Sequence, residues 1–449
     1  RSQGSQAAWG LSKIVILAVV AVLSVLALAG IIFAPWVVHN LIAPGFDSER
    51  TALTISLTRI MLLATVVFGA SNVVGSVLQA EQKFTAFAVA PILYNIGIIV
   101  GLYTIVPFFG NRGLAWGVVL GSLLHLLIQL PALRRIPRIG PLPISLQLPL
   151  RTVLRLLGPR TIGLAAGQVE QVMMAGFISQ LSVGSMAAFA LASNLQSFPT
   201  NVFGVSLAVA AFPLLSRAWS ESDPASFIHH FSSTVRRTIY YVLPLAVLFL
   251  VLRAQIVRVV LGAGAFDWGD TIRTSQVLGF LSLAMLADSI IPTVARAFYA
   301  IGDTKTPTLA ALVAMVVNLL LLLSLVRFGL TGIGIAYVTS RLLNLGLLSA
   351  RLGKKLGTVG AGHIVEGSRV MLTAALTAGA VAYLTLRVVA PFVDMHTFLG
   401  VAFQGIVAGC LGVSAYLSFT YVNGLSEARE LRQYLHDLFV QAKLLLRLA

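Results

Sequence analysis

Two neighbouring apolar stretches of this chain hold the polar side chains best placed to do chemistry. Residues 161–181 contain Gln168, Glu170 and Gln171, and residues 184–213 contain Ser193, Asn194, Gln196, Ser197, Thr200 and Asn201 around Pro199. Asn194, Ser197 and Asn201 recur at i, i+3 and i+7, which puts them on one face of a helix. Amides and hydroxyls in that arrangement hydrogen-bond a polar ligand. They supply neither a nucleophile nor a general acid. Other ionisable residues lie in or near apolar runs: Arg59, His125, Asp288, Arg296 and Arg341. A charge in hydrocarbon is costly, so each is a functional candidate by default. Arg296 and Arg341 fall near the ends of their runs, where snorkelling to the headgroups accounts for them. Arg59 is balanced between the two readings. Glu170 and Asp288 lie deeper. Glu170 is the better candidate for a charge in a polar cavity, and Asp288 is suited to pairing with an arginine that the sequence does not single out. No carboxylate pair, histidine cluster or nucleophile constellation stands out, so no enzyme is expected and no catalytic or metal-binding residue is assigned. The single cysteine, Cys410, excludes an internal disulfide and a thiolate metal centre.

The elements that must hold these residues are membrane-spanning helices. Only 10% of residues are charged and 58% are hydrophobic. A soluble domain carries roughly a quarter charged residues, so the expected fold is all-α and polytopic in the membrane. Twelve spans are expected in this sequence, most of them near the roughly 20 residues needed to cross a bilayer core. The net charge of +16 invites a nucleic-acid reading. Its placement argues otherwise: most Lys and Arg fall before the first span or in every second loop, leaving Arg50, Arg59, Arg112, Arg253, Arg258, Arg273, Arg327 and Arg387 on the other side. That is the positive-inside bias, which predicts both termini in the cytoplasm and membrane lipids, not nucleic acid, as the partner of the basic loops.

The chain also repeats itself. Ile42-Ala43-Pro44-Gly45-Phe46-Asp47 returns as Leu261-Gly262-Ala263-Gly264-Ala265-Phe266-Asp267, Leu78-Gln79-Ala80 returns as Phe298-Tyr299-Ala300, and Asn95 answers Asn318. A repeat of whole spanning blocks in one orientation marks a two-lobed transporter. The predicted organisation is an N-terminal lobe over 1–131, a basic cytoplasmic linker over 132–160, a C-terminal lobe over 161–350, two additional spans within 369–421, and a basic amphipathic helix over 425–449. The second copy has six spans and the first only four, so two further spans are expected ahead of residue 1, and the chain by itself is expected not to transport. Gly97 and Gly101 in one span, with Gly113, Gly117 and Gly121 in the next, form small-residue stripes that predict close helix packing. Pro199 is expected to bend or break its helix beside the polar face, freeing carbonyls near mid-membrane. Glu170, Gln168, Asn194, Ser197, Asn201 and Arg59 are the predicted lining of a substrate cavity, Asn194 and Ser197 sharing it with Glu170.

Several segments resemble the MurJ (MviN) family of lipid II flippases: Ala297-Phe298-Tyr299-Ala300-Ile301-Gly302-Asp303-Thr304-Lys305-Thr306-Pro307, Leu57-Thr58-Arg59-Ile60-Met61, Ala90-Pro91-Ile92-Leu93-Tyr94-Asn95, and Phe198-Pro199 followed by Phe212-Pro213-Leu214-Leu215-Ser216. The resemblance runs in order along nearly the whole chain. It implies fourteen spans in the intact protein and a V-shaped cavity between two lobes, with a lipid groove beside the last two spans. It also implies translocation of undecaprenyl-pyrophosphate-linked peptidoglycan precursor across a bacterial cytoplasmic membrane. Pro199, Arg296, Asp303, Lys305 and Pro307 are the hinge and gate positions it suggests. Members carry an arginine and an acidic residue in the eighth span, where this chain has Asn194 and Ser197. No cofactor is expected, the driving force stays open between membrane potential and a monovalent ion, and cell-wall synthesis proteins are possible partners. A multidrug or polysaccharide exporter of the same superfamily and a non-transporting scaffold are the alternative readings.

Overall fold

The computed structural model describes residues 4–81, 83–134, 167–357, 361–395, 397–434 and 436–437, and the regular structure among them is helical. Ten stretches of these residues are long and apolar enough to cross a membrane. The longest, Lys305–Leu356, contains two helices separated by a 3-10 turn at Val326–Phe328. The chain divides into two compact units, Arg1–Gly158 and Pro159–Ala449. Most of the expected basic linker, residues 135–160, lies outside the described residues, as do the start of the expected span 161–181 and the end of the amphipathic segment from 438 onward.

The first unit contains α1 (Gly4–Val37), a π-helical extension (Val38–Ile42), α2 (Ser48–Ala80), α3 (Phe84–Thr104), a short α4 (Val106–Phe109), α5 (Arg112–Leu127) and α6 (Leu130–Arg134). Asp47 starts α2 by accepting the Arg50 N–H at 2.8 Å, satisfying a donor that the first helical turn leaves free. The glycine stripes do what their spacing predicts. A Cβ on Gly101 would stand 2.3 Å from the Gly117 Cα, and one on Gly97 would stand 2.4 Å from the Gly121 Cα. Backbones this close admit no side chain, so α3 and α5 pack through glycine contacts. Beside them Ser71, His125 and Gln129 form a buried network, with Ser71 Oγ 2.7 Å from His125 Nδ1 and Gln129 Nε2 donating to Ser71 Oγ at 2.8 Å.

The second unit contains α7 (167–178), α8 (Ser185–Pro199), a π-helical segment (Thr200–Val205), α9 (Ser206–Ser220), α10 (Pro224–Val251), α11 (Arg253–Leu261), α12 (Trp268–Ala300), α13 (Lys305–Leu325), α14 (Gly329–Leu356), α15 (Ala361–Val389), α16 (Phe398–Val422) and α17 (426–434). Asp267 caps α12 as Asp47 caps α2, accepting the Asp270 N–H at 2.8 Å. The sequence repeat is therefore a repeated helix start. The main core joins α9, α10, α12, α14, α15 and α16 around the fully buried Leu215, Tyr240, Ala297, Phe298, Leu352, Met371 and Ala375. Leu425 and Ala428, at the start of α17, are buried in the same core, so the described part of the expected surface helix docks on this unit.

Pro199 does not break its helix. Helical geometry continues from α8 through Thr200–Val205 into α9, forming one apolar stretch over Ser185–Ser220. The missing proline donor is absorbed by wider π-type pairing, in which the Ser206 N–H reaches the Asn201 carbonyl, while Thr200 Oγ1 donates to the Gln196 carbonyl at 3.1 Å. The widened turn lies tight on α12: a Cβ on Gly204 would stand 2.6 Å from the Ser289 Cα.

Candidate functional site

Five helices of the second unit each contribute to one polar cluster. Glu170 of α7 receives Nη2 of Arg341 from α14 at 2.8 Å and Nδ2 of Asn318 from α13 at 2.8 Å. Asp288 of α12 accepts Nε2 of Gln196 from α8 at 2.8 Å and the Tyr337 hydroxyl from α14 at 2.9 Å. Arg341 lies between the carboxylates. Its Nε is 3.5 Å from Asp288 Oδ1, within ion-pair range but without hydrogen-bond alignment. Its guanidinium also sits 4.8 Å from the Tyr337 ring centroid. Glu170 is only 6% exposed, and apolar side chains including Met174, Ile178, Leu322, Ile333 and Ala192 wall the neighbourhood. In such surroundings each charge leans on its partners, because the side chains of Asp288 and Arg341 are only 14% and 24% exposed and little water can solvate them. The cluster thus holds two carboxyl groups and one guanidinium. Asn318 Oδ1 is also buried without a partner among the described residues.

The cluster corrects two expectations. Arg341 does not snorkel toward the headgroups; it points inward and is the arginine that pairs with Asp288. Glu170 does not share an aqueous cavity with Asn194 and Ser197, because its carboxylate is buried inside the unit and engaged by Arg341 and Asn318. Helix α8 separates the two environments. Gln196 turns inward to Asp288, while Asn194, Ser197 and Asn201 are exposed on the other side. Ser197 Oγ donates to its own helix at the Asn194 carbonyl, 2.8 Å away. The side-chain amides of Asn194 and Asn201 have no hydrogen-bond partner among the described residues, so they do not bond across to another helix there. Gln168 is exposed on α7.

Arg59 belongs to the first unit, where its Nε donates to the Ile31 carbonyl at 3.1 Å and so ties α2 to α1. Of the positions suggested for a hinge or gate, Pro199 is buried and Lys305 exposed. Arg296 donates to the Pro292 carbonyl of its own helix at 3.3 Å. Asp303 fixes the turn between α12 and α13: it accepts the Thr306 N–H at 3.0 Å and the Thr306 hydroxyl at 2.6 Å, and it pairs with Lys355 at the end of α14. Pro307 is buried in the first turn of α13. Burial alone would raise the Asp303 carboxyl, but the bonds from Lys355 and Thr306 outweigh it and hold the group at about 2.

Tyr337 is the member of the cluster that sequence reasoning passed over. Tyr337, Arg341 and Asn344 stand at i, i+4 and i+7 on α14, a polar stripe along one side of the helix. That periodicity points inward, whereas position relative to the helix end suggested snorkelling.

Comparison with known proteins gives these features their setting. The sequence model described as "Lipid II flippase MurJ" matches residues 1–403. The lipid II flippase MurJ of Burkholderia cenocepacia is 28% identical over 305 residues, covering 66% of this chain. The chain spans 59% of the length of that relative. A solved structure of lipid II flippase MurJ in an inward closed conformation superposes with a TM-score of 0.73 at 22% identity, over 92% of this chain and 83% of that one. An inward-facing multidrug resistance MATE family transporter of the MOP superfamily has a TM-score of 0.63 at 17% identity, over 78% of this chain and 80% of that one. The repeated helix starts, the two helical units and the match over residues 1–403 agree: the chain belongs to the MurJ family of lipid II flippases.

Proposed function

We propose that this protein carries undecaprenyl-pyrophosphate-linked peptidoglycan precursor, lipid II, from the cytoplasmic to the outer leaflet of the bacterial cytoplasmic membrane by alternating access, with both termini in the cytoplasm. One observation carries the reading beyond family membership: Asn194 and Asn201 expose amides that have no hydrogen-bond partner among the described residues, within an apolar stretch of 36 residues. A bare amide facing hydrocarbon costs several kcal/mol, so this face turns to water or to a polar ligand. Ser197 lies between the two amides, so a strip of neutral hydrogen-bonding side chains shares this face with the exposed Phe198 and Val202. Such a strip replaces water around a sugar–peptide headgroup while the prenyl chain stays in lipid. The π-helical turn after Pro199 supplies a place where the strip changes direction as the protein alternates.

The excess of one carboxyl group over the guanidinium in the Glu170, Asp288 and Arg341 cluster supports coupling to a monovalent cation or a proton, taken up there in one stage of the cycle. No resident cofactor is needed for such a cycle. In cells depleted of their own flippase, expression of the full-length protein containing this chain should expose lipid-linked precursor to a probe confined to the outer face. Cells that insert the protein normally yet leave the precursor inaccessible would count against the reading.

A further inference from the structure

The end of α16 carries a basic cleft that lies apart from the polar strip of α8 and from the Glu170–Arg341–Asp288 cluster. The last span finishes at Val422, Gly424 turns the chain with φ +71°, and α17 folds back on the unit. The charges of α17 are segregated. Glu427 takes a two-pronged pair from Arg236 of α10, at 2.8 and 3.1 Å, and Glu430 pairs with Arg237 at 3.0 Å. Both acids are thereby neutralised on the side that docks. Arg429, Arg432, Gln433 and His436 recur at i, i+3, i+4 and i+7, and with Tyr421 they line a cleft of ≈480 Å³ on the other side. Arg432 hydrogen-bonds the Tyr421 hydroxyl and lies 5.2 Å from its ring centroid, so that guanidinium is held in place. Neither Arg429 nor Arg432 has a carboxylate partner among the described residues. Tyr421 lines the cleft and is exposed, as is the adjacent Val422 at the end of α16, an aromatic and apolar pair of the kind that settles at headgroup depth.

We propose that this cleft binds the phosphate of an anionic phospholipid headgroup, with Arg429 and Arg432 as the two guanidinium donors and Tyr421 as the floor. Guanidinium groups suit phosphate oxygens because they present several donors in a fixed plane. The position immediately beyond an apolar span favours a lipid-borne phosphate over a soluble one, since the acyl chains can lie along the exposed side of α16. The Arg236–Glu427 pair holds α17 against α10, so occupation of the cleft brings lipid to the docked helix. The site is independent of which headgroup the protein translocates.

The test is native mass spectrometry of the purified full chain released from mixed phosphatidylglycerol–phosphatidylcholine vesicles, comparing retained lipid. Wild-type protein should retain phosphatidylglycerol in preference to phosphatidylcholine. Each Arg→Gln change, at 429 or 432, should cut that preference about fivefold, and the double variant about thirtyfold. Arg217→Gln, at an exposed arginine of α9 paired with Glu221, should leave it unchanged. Arg429→Lys/Arg432→Lys, which keeps the charge, should restore part of the preference and shows that loss in the Gln variants is not misfolding. Unaltered phosphatidylglycerol retention in the double Gln variant overturns the proposal. Full displacement by inorganic phosphate, beyond that produced by sodium chloride of equal ionic strength, overturns the assignment to lipid and makes the cleft a soluble-phosphate site.

Discussion

Arg341 reaches Glu170 at 2.8 Å and approaches Asp288 at 3.5 Å, so one guanidinium from α14 ties together α7 and α12 inside the second unit. Burying three charges is expensive, and the arrangement persists because Asn318, Gln196 and Tyr337 take up further hydrogen-bonding capacity of the carboxylates. The cluster is a fixed electrostatic element within a lobe, distinct from the neutral strip on the exposed face of α8.

Removing the cation from this cluster should be far worse than removing the whole pair. Arg341→Met leaves two largely buried carboxyl groups without their cation and should destabilise the protein by about 3 kcal/mol. The combined change Arg341→Met with Glu170→Gln should cost less than the sum of the separate losses. Thermal unfolding in detergent measures the cycle, and strictly additive losses would show that the two side chains do not depend on each other.

Close packing of α3 on α5 gives a second expectation. Gly101→Ala places a methyl 2.3 Å from the Gly117 Cα, so the helices must separate. The loss should be about 1–3 kcal/mol, as for other overpacked cores. Gly346→Ala, on a part of α14 with open space around the added methyl, is the matched control and should be near neutral. Equal melting temperatures for the two variants would contradict the packing.

The Asp303 turn predicts a pH dependence. Its carboxyl lies near 2 in the folded protein, below the ordinary value of 3.8. The contribution is therefore present at pH 7 and down to about 4, and it is lost as the pH falls through about 2. Asp303→Asn should lower stability by about 1 kcal/mol at neutral pH and make little difference near pH 2. A variant that is equally destabilised at both pH values would mean that charge plays no part in holding the turn.

Topology gives an independent check on the proposed orientation. In a Cys410→Ala background, single cysteines at Asn111 and Asp394 should react with an impermeant reagent from outside, and one at Lys355 should not. Labelling at 355 in intact cells would invert the orientation and the direction of the proposed cycle.

Local devices were readable in the sequence, and long-range pairings were not. The repeated Asp47 and Asp267 mark helix starts because a cap is decided within four residues, and the Gly97/Gly101 stripes reveal close packing because a missing side chain has the same consequence wherever the helix lies. Glu170 and Asp288 were recognisable as buried charges, since hydrocarbon permits few such residues. Their partner was not, because Arg341 is 171 positions from Glu170 and its direction depends on how α14 is rotated against its neighbours. The same limitation put Glu170 beside Asn194. Two polar residues in adjacent spans read alike until the rotation of α8 turns Gln196 inward and Asn194 outward. Pro199 was visible as an irregularity, but sequence does not distinguish a broken helix from one that widens into a π-turn.

The central claim, that the exposed strip on α8 holds the polar headgroup during translocation, is tested most directly at Asn194. Outer-leaflet accessibility of lipid-linked precursor should be measured for Asn194→Leu and Asn194→Arg in the full-length protein containing this chain, at matched membrane levels. Leucine is well tolerated in a span, so Asn194→Leu should insert normally and transport slowly, by about tenfold if one hydrogen bond to the headgroup of about 1.4 kcal/mol is lost. Asn194→Arg should fold and transport, because a guanidinium facing water can also hold a pyrophosphate. Normal transport by the leucine variant together with failure of the arginine variant to fold would place position 194 against lipid or protein and contradict the account.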